Sequence, residues 1–178
     1  GAQEYFGVRA DLVTFGKIIG GGMPVGAYAG TRALMEQVAP CGPVYQAGTL
    51  SGNPVAMAAG LAQLQILTDH PEVYTVMETS ARYIANHLRA SADKHGVKMQ
   101  VNQVGSLLCP YFTETPVDCF AAAKTSDTAK YAKYFNEMLL RGVYLAPSQF
   151  EAMFVSSAHT QDDLEATVKA AEESIAAL

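Results

Sequence analysis

The most informative stretch of this sequence is DLVTFGKIIGGGMPVGAY, residues 11–28. In it, two short apolar segments, residues 11–15 and 27–29, flank a single lysine and a run of three glycines. Short apolar runs bounded by glycine turns are typical of buried strands. We therefore expect two buried strands here, with the lysine and the glycines between them.

Lys17 is the only lysine in the first 93 residues, and its neighbours are apolar side chains and glycine. This setting predicts a buried side chain. Burial lowers the pKa of an ammonium group and makes it a usable nucleophile or base, as Schiff-base lysines require. A lysine that reaches out to solvent from a half-buried strand end is the alternative.

The glycines beside Lys17 fit neither of two common phosphate-binding motifs. A P-loop fails because Ile18 follows the lysine and Asp11 stands where the first glycine belongs. A dinucleotide fingerprint that begins at Gly20 would place its third glycine at Val25. Residues 20–26 then form either a tight turn, which these residues alone favour, or a backbone passage close to a bulky group.

A second segment, PVYQAGTLSGNP at residues 43–54, combines hydroxyl groups with glycines. Thr49 follows Gly48 and Ser51 precedes Gly52. Both lie just ahead of Asn53-Pro54, which is a favoured start for a helix. Such a lead-in exposes amides and hydroxyls that bind an anion. Capping and turn formation are the alternative, and without further context they are favoured.

A third segment, LAPSQFEAMF at residues 145–154, places Glu151 between apolar residues. This acid is either a buried partner for a cation or, as the residues alone favour, a solvent-facing side chain. The four histidines have no ligand spacing, so we expect no metal.

Composition limits the classes of function. The chain has 178 residues, 49% of them apolar and 16% charged, which is typical of a folded globular protein. Its net charge of -5 excludes the basic surplus that nucleic acid or an anionic membrane surface requires. Three widely spaced cysteines indicate a reducing compartment rather than a disulfide framework. The classes of function that remain are small-molecule chemistry and binding to a protein partner.

The first 60 residues contain 12 of the 15 glycines but only 6 of the 29 charged residues. We therefore expect an α/β part over residues 1–69 and an α+β part over residues 70–178, with the boundary near His70-Pro71. The patterns predict a buried helix over 53–67, helices over 72–94, 127–141 and 160–178, two strands within 97–112, and short strands over 143–145 and 153–155.

Together and in this order, the three segments resemble class III pyridoxal-phosphate-dependent aminotransferases of fold type I, over essentially the whole chain. The resemblance implies that Lys17 binds pyridoxal 5'-phosphate covalently and, once freed, moves protons on the substrate. It implies that Gly48 and Thr49 bind the cofactor phosphate across a homodimer interface. Tyr45 is expected near the site, and Glu151 is expected to face the substrate pocket.

Within the family, the resemblance is strongest to enzymes that move an amino group inside one molecule. It implies conversion of (S)-4-amino-5-oxopentanoate to 5-aminolevulinate for tetrapyrrole synthesis, with a pyridoxamine 5'-phosphate form in the cycle. It also implies a location in the bacterial cytoplasm or the plastid stroma, and a possible contact with the enzyme that supplies the substrate. An aminotransferase using an ω-amino donor and an oxo acid, or a non-catalytic module, is the alternative.

Small departures from the family pattern are Met23 for leucine, Ala29 for glycine and Met153 for glycine. The large departure is that the family's earlier half is missing, including its pyridine-binding aspartate, ring-stacking aromatic residue, first phosphate loop and carboxylate-binding arginine. Residues 1–69 would then be the end of the large cofactor domain and residues 70–178 the small C-terminal domain. We expect the chain alone to bind cofactor poorly and to be inactive.

Overall fold

The computed structural model describes all residues from Gly1 to Leu178. It divides into two compact units, residues 1–70 and 71–178. This division lies one residue beyond the boundary expected from composition. The two units are described separately below.

The first unit is a two-stranded sheet with short helices and one long helix. Its elements are α1 (Ala2–Tyr5), β1 (Leu12–Gly16), a 3-10 helix (Lys17–Gly20), β2 (Gly26–Gly30), α2 (Arg32–Met35) and α3 (Pro54–Asp69). β1 and β2 pair antiparallel, from Leu12 opposite Gly30 to Gly16 opposite Gly26. The two predicted strands are confirmed, but their predicted burial is wrong: no strand residue is buried. The strands pair only with each other, and their faces stay open to solvent.

Helix α3 begins where the sequence predicts. The Asn53 side chain accepts hydrogen bonds from the amides of Val55 and Ala56, both at 3.1 Å. The prediction of a buried helix is wrong, because only Ala56 and Gly60 are buried. These small residues lie on the one face that contacts the 3-10 helix, whereas the larger apolar side chains of α3 point to solvent.

The second unit combines three long helices, one short helix and a three-stranded sheet. Its elements are α4 (Glu72–His95), β3 (Gln100–Val104), β4 (Leu107–Tyr111), α5 (Phe120–Ala123), α6 (Thr128–Leu140), β5 (Met153–Phe154) and α7 (Gln161–Ala176). The strand order is β3-β4-β5, and both pairs are antiparallel. The strand predicted over 143–145 is wrong. The Val143 amide instead closes the end of α6 by donating to the Met138 carbonyl at 3.0 Å, and the segment pairs with no strand.

Local signals in the second unit are confirmed. Gly142 follows α6 with a φ of +83°, the left-handed conformation that glycine adopts most easily. Thr160 and Asp163 form a reciprocal capping box at the start of α7.

The hydrophobic core lies in the second unit, where its largest fully buried members are Leu88, Leu108, Tyr134, Met138 and Ile175. Ile84 and Leu88 lie on the buried face of α4 as expected, but Val76 is exposed. None of the helices combines the length and apolar character needed to cross a bilayer. No three His, Cys, Asp or Glu side chains lie close enough together to hold a metal ion.

Candidate functional site

Lys17 has an unusual backbone conformation. It follows β1 directly, begins the 3-10 helix, and has a φ of +53°, the only positive φ at a residue other than glycine. A left-handed conformation costs roughly 1–2 kcal/mol for an L-residue with a Cβ. Strained residues of this kind concentrate at functional sites, so the backbone singles out the same lysine as the sequence does.

The predicted burial of Lys17 is wrong, because its side chain is exposed. The apolar neighbours that suggested burial, Phe15 and Ile18, are themselves 49% and 71% exposed. They do not cover the lysine, since the two-stranded sheet has no further strand at its side. The Lys17 ammonium takes part in none of the ion pairs or hydrogen bonds of the chain, and it is therefore free to react or to bind.

The glycines after Lys17 form a turn and also permit a close approach, so both interpretations of residues 20–26 hold. The Met23 amide donates to the Gly20 carbonyl at 3.0 Å. A Cβ added to Gly21 would lie 2.6 Å from the Ala59 carbonyl oxygen, and Gly21 has a φ of +57°. A Cβ added to Gly60 would lie 2.6 Å from the Ile19 carbonyl oxygen. The backbone around Lys17 thus rests directly on α3.

The second sequence segment lines a cavity of about 610 Å³ in the first unit. Its walls come from residues 24–28, Gln46, residues 48–52 and Met57. Thr49 and Ser51 contribute aliphatic hydroxyl groups to this wall, and Tyr28 contributes a phenol. Tyr45 is 83% exposed, and neither Tyr45 nor Lys17 belongs to the lining.

The polar groups of this wall are available to a ligand. Residues 48–51 form a turn in which the Ser51 amide donates to the Gly48 carbonyl at 2.9 Å. The amides of Gly48 and Thr49 donate to no backbone carbonyl, and the hydroxyls of Thr49 and Ser51 have no partner. Asn53 alone caps α3, so these hydroxyls are not used for capping. A Cβ on Gly48 would lie 2.9 Å from Ser51 Oγ, so a larger residue would turn that hydroxyl away.

Glu151 belongs to the second unit, where its exposed side chain lines a cavity of about 420 Å³ together with residues 143–147 and 152–155. The loop before it is firmly attached. The Tyr131 hydroxyl donates to the Ala146 carbonyl at 2.6 Å, and the buried Gln149 side chain donates to the Pro110 carbonyl at 2.7 Å. The Cys109 thiol lies 3.5 Å from the carbonyl oxygens of both Gln149 and Glu151.

Both hydroxyl and thiol anchors remain protonated at neutral pH. Burial raises the pKa of the Tyr131 phenol to about 12, and the charges of Cys109 and Glu151 add to this effect. Burial also raises the pKa of the Cys109 thiol, against a smaller lowering by Tyr111. Each side chain therefore acts as a permanent hydrogen-bond donor toward the loop.

The sequence did not identify Gln46, Cys109, Tyr131 or Gln149 as members of either site. Gln149 gave the one usable signal, since it is an uncharged polar residue two positions before Glu151 in the third segment. The partners of Gln149 and Tyr131 lie 39 and 15 residues away, which no local pattern reveals.

Comparisons with known proteins agree on one family. A family model described as aminotransferase class-III matches residues 1–124. The glutamate-1-semialdehyde 2,1-aminomutase of Ruminiclostridium cellulolyticum is 63% identical over 175 residues, which are 98% of this chain and 40% of that protein. The chain thus spans about 40% of the length of the curated relatives it matches.

Solved structures share the fold. An omega-transaminase from Sphaerobacter thermophilus matches with a TM-score of 0.88 and 30% identity, over 98% of this chain and 40% of that chain. A glutamate-1-semialdehyde-aminomutase from Pseudomonas aeruginosa, solved as a K286A variant in complex with PMP, matches with a TM-score of 0.83 and 20% identity, over 98% and 41%.

Proposed function

Because the chain belongs to the class-III aminotransferase family, we propose that it is the C-terminal part of an enzyme that converts glutamate 1-semialdehyde, (S)-4-amino-5-oxopentanoate, into 5-aminolevulinate. The observation that carries this proposal is the 63% identity to an aminomutase over nearly the whole chain. The strained, unpaired Lys17 supports it from the structure. In this proposal residues 1–69 complete the large cofactor domain and residues 70–178 form the small C-terminal domain.

The residues present fit pyridoxal 5'-phosphate. Lys17 offers a primary amine without a competing partner. The turn at residues 48–51 offers free amides and two free hydroxyls, which is the donor set that a phosphate group needs. The absence of a side chain at Gly48 keeps the Ser51 hydroxyl beside the turn. When bound, the cofactor supplies an electron sink for the carbon at which the amino group is exchanged.

Within this proposal Lys17 holds the cofactor through Nζ, and the freed amine then takes a proton from one substrate carbon and returns it to another. Lys17 is the first residue of the 3-10 helix, so its side chain extends from a regular element rather than from a loop. Thr49 and Gly48 hold the phosphate, Tyr45 lies nearby, and Glu151 faces the substrate. These groups orient the reactants, which is a large part of what a protein adds to the chemistry of a cofactor.

We also propose a homodimer in which Gly48 and Thr49 of one protomer bind the phosphate held by Lys17 of the other. The cavity that contains Thr49 does not include Lys17 in its lining, which supports a site shared between protomers. The proposed setting is tetrapyrrole synthesis in a bacterial cytoplasm or a plastid stroma. A contact with the enzyme that supplies the unstable semialdehyde belongs to the same proposal.

One alternative is a class-III aminotransferase that moves an amino group between an ω-amino donor and an oxo acid. The structural match to an omega-transaminase at a TM-score of 0.88 favours it. The two activities differ in one requirement, because an aminomutase needs no external oxo acid. A non-catalytic module is the remaining alternative, and covalent binding of cofactor at Lys17 would exclude it.

The test uses the full-length protein that contains this chain, incubated with pyridoxal 5'-phosphate, reduced with borohydride and digested for mass spectrometry. We expect a pyridoxyl group on the Lys17 peptide and none on the peptide with the exposed Lys94, which serves as the internal control. Turnover of glutamate 1-semialdehyde is then measured without any oxo acid. An unmodified Lys17 overturns the cofactor site, and turnover that depends on an added oxo acid overturns the aminomutase activity.

A further inference from the structure

We propose that Gln149, together with Tyr131 and Cys109, is a positioning residue that fixes the Glu151 loop so that the Glu151 carboxylate meets the substrate in one orientation. The inference rests on the proposed function of Glu151 and adds to it the residues that set the geometry of this acid. It is carried by the Tyr131 and Cys109 side chains, which reach the backbone of residues 146–151, and by the Gln149 side chain, which joins this loop to the Pro110 carbonyl.

The three contacts bracket the loop. Tyr131 of α6 binds its start at the Ala146 carbonyl, at 2.6 Å. Gln149, in the middle of the loop, donates a hydrogen bond from its side-chain amide to the Pro110 carbonyl of β4, at 2.7 Å. The Cys109 thiol, also on β4, faces the carbonyls of Gln149 and Glu151 at 3.5 Å. The backbone of Glu151 is thereby tied to the rigid sheet.

The burial of Gln149 indicates that its polar group has a purpose other than stability. Its side chain is only 3% exposed, and its Oε1 atom is buried without a partner. A buried amide that satisfies only part of its hydrogen-bonding capacity is less stable than an apolar side chain of similar shape. Methionine would fill the same space, so the amide is best explained by the one bond that it gives to Pro110.

The Glu151 side chain contrasts with its own backbone. The backbone carbonyl faces a buried thiol, whereas the carboxylate is exposed at the 420 Å³ cavity. An exposed acid on a free loop would sample many positions. Moving a reacting group about 1 Å from its productive position can lower the rate by about a factor of 100. The anchors therefore supply precision to a residue that burial does not fix.

The experiment measures kcat/KM of the full-length holoenzyme in a double-mutant cycle of Gln149→Met and Glu151→Gln. We expect each single variant to lower kcat/KM by about 10- to 100-fold. In the Glu151→Gln background, adding Gln149→Met is expected to change kcat/KM by less than about 2-fold, because Gln149 acts only through Glu151. A purely structural residue would instead give additive effects.

Two matched controls separate positioning from folding. Gln103→Met removes an amide that donates to the carbonyls of Glu78 and Gly105 elsewhere in the same unit, and we expect kcat/KM to remain unchanged. If Gln149→Met fails to fold, Tyr131→Phe removes only one hydroxyl from the loop. Its control is Tyr134→Phe on the same helix, where the buried hydroxyl has no partner.

The outcomes are distinguishable. If Glu151→Gln leaves kcat/KM unchanged, the proposed role of Glu151 is wrong, and the inference falls with it. If Glu151→Gln lowers kcat/KM but neither Gln149→Met nor Tyr131→Phe does, the positioning role alone is wrong. Additive losses in the cycle also overturn it, whereas non-additive losses with silent controls support it.

Discussion

Gly60→Ala is expected to disturb Lys17 through a backbone contact. A Cβ at residue 60 would lie 2.6 Å from the Ile19 carbonyl oxygen, and an ordinary contact begins at 3.4 Å. The carbonyl or the helix must therefore move by about 0.8 Å. Ile19 lies in the same four-residue 3-10 helix as Lys17, so the movement is expected to reach the lysine that we propose binds the cofactor.

Two opposing free energies set the effect of Gly60→Ala on stability. Alanine is about 1 kcal/mol more favourable than glycine inside a helix. Overpacking of this kind costs typically about 1–3 kcal/mol. We therefore expect a net loss of roughly 0–2 kcal/mol in the free energy of unfolding, measured by urea denaturation. The rate is expected to fall more clearly, by about 10- to 100-fold in kcat/KM.

The matched control is Ala62→Gly, a reverse exchange at an exposed position of α3. It is expected to lose about 1 kcal/mol of stability with no change in kcat/KM. The reasoning is refuted if Gly60→Ala gains the full helix-propensity benefit and retains normal turnover, because the close contact with Ile19 would then be absent.

Lys17→Ala is expected to abolish covalent cofactor binding and to lower turnover by several orders of magnitude, and near-normal turnover would contradict its assignment. Thr49→Val is expected to raise the dissociation constant for the cofactor without lowering the melting temperature, whereas Thr49→Ser is expected to retain the affinity. Equal affinity of the two variants would argue against phosphate binding by the Thr49 hydroxyl. The Thr160 hydroxyl and amide donate hydrogen bonds to the Asp163 carboxylate and lower its pKa below the usual 3.8. The carboxylate therefore stabilises the start of α7 above about pH 4, and this stabilisation is lost as the pH falls through the lowered pKa. Asp163→Asn is expected to remove that part of the pH dependence of the free energy of unfolding, measured by urea denaturation. An unchanged pH profile would exclude this contribution of Asp163. The isolated 178-residue chain is expected to show no turnover, and measured activity would contradict the need for the rest of the site.

The sequence predicted best what depends on neighbouring residues. Asn53, Gly142 and the Thr160–Asp163 pair act within a few positions, and all three mark helix ends as expected. Capping requires only that a side chain reach a nearby free amide or carbonyl, so short patterns suffice. The 3-10 helix at Lys17 has no such cap and was not predicted.

Burial was predicted poorly because it depends on what covers a face. Phe15 and Ile18 suggested a buried lysine, yet they are exposed themselves. Apolar composition shows that a surface requires cover but does not identify the covering element. The Gln149 contact was not predicted for a related reason, since Gln149 lies in a turn and its partner Pro110 lies on a strand 39 residues away.

The two units contribute differently to the proposed chemistry. The second unit contains the hydrophobic core, whereas in the first unit only Gly20, Ala56 and Gly60 are buried. Side-chain packing within the first unit therefore cannot by itself hold Lys17 in a strained conformation, although such strain persists only where the surroundings enforce it. The enforcement available there comes from backbone contacts: Gly60 against the Ile19 carbonyl, and Gly21 against α3. The proposed site therefore requires small residues at these positions as well as the lysine, because they let α3 lie against the backbone segment that carries Lys17.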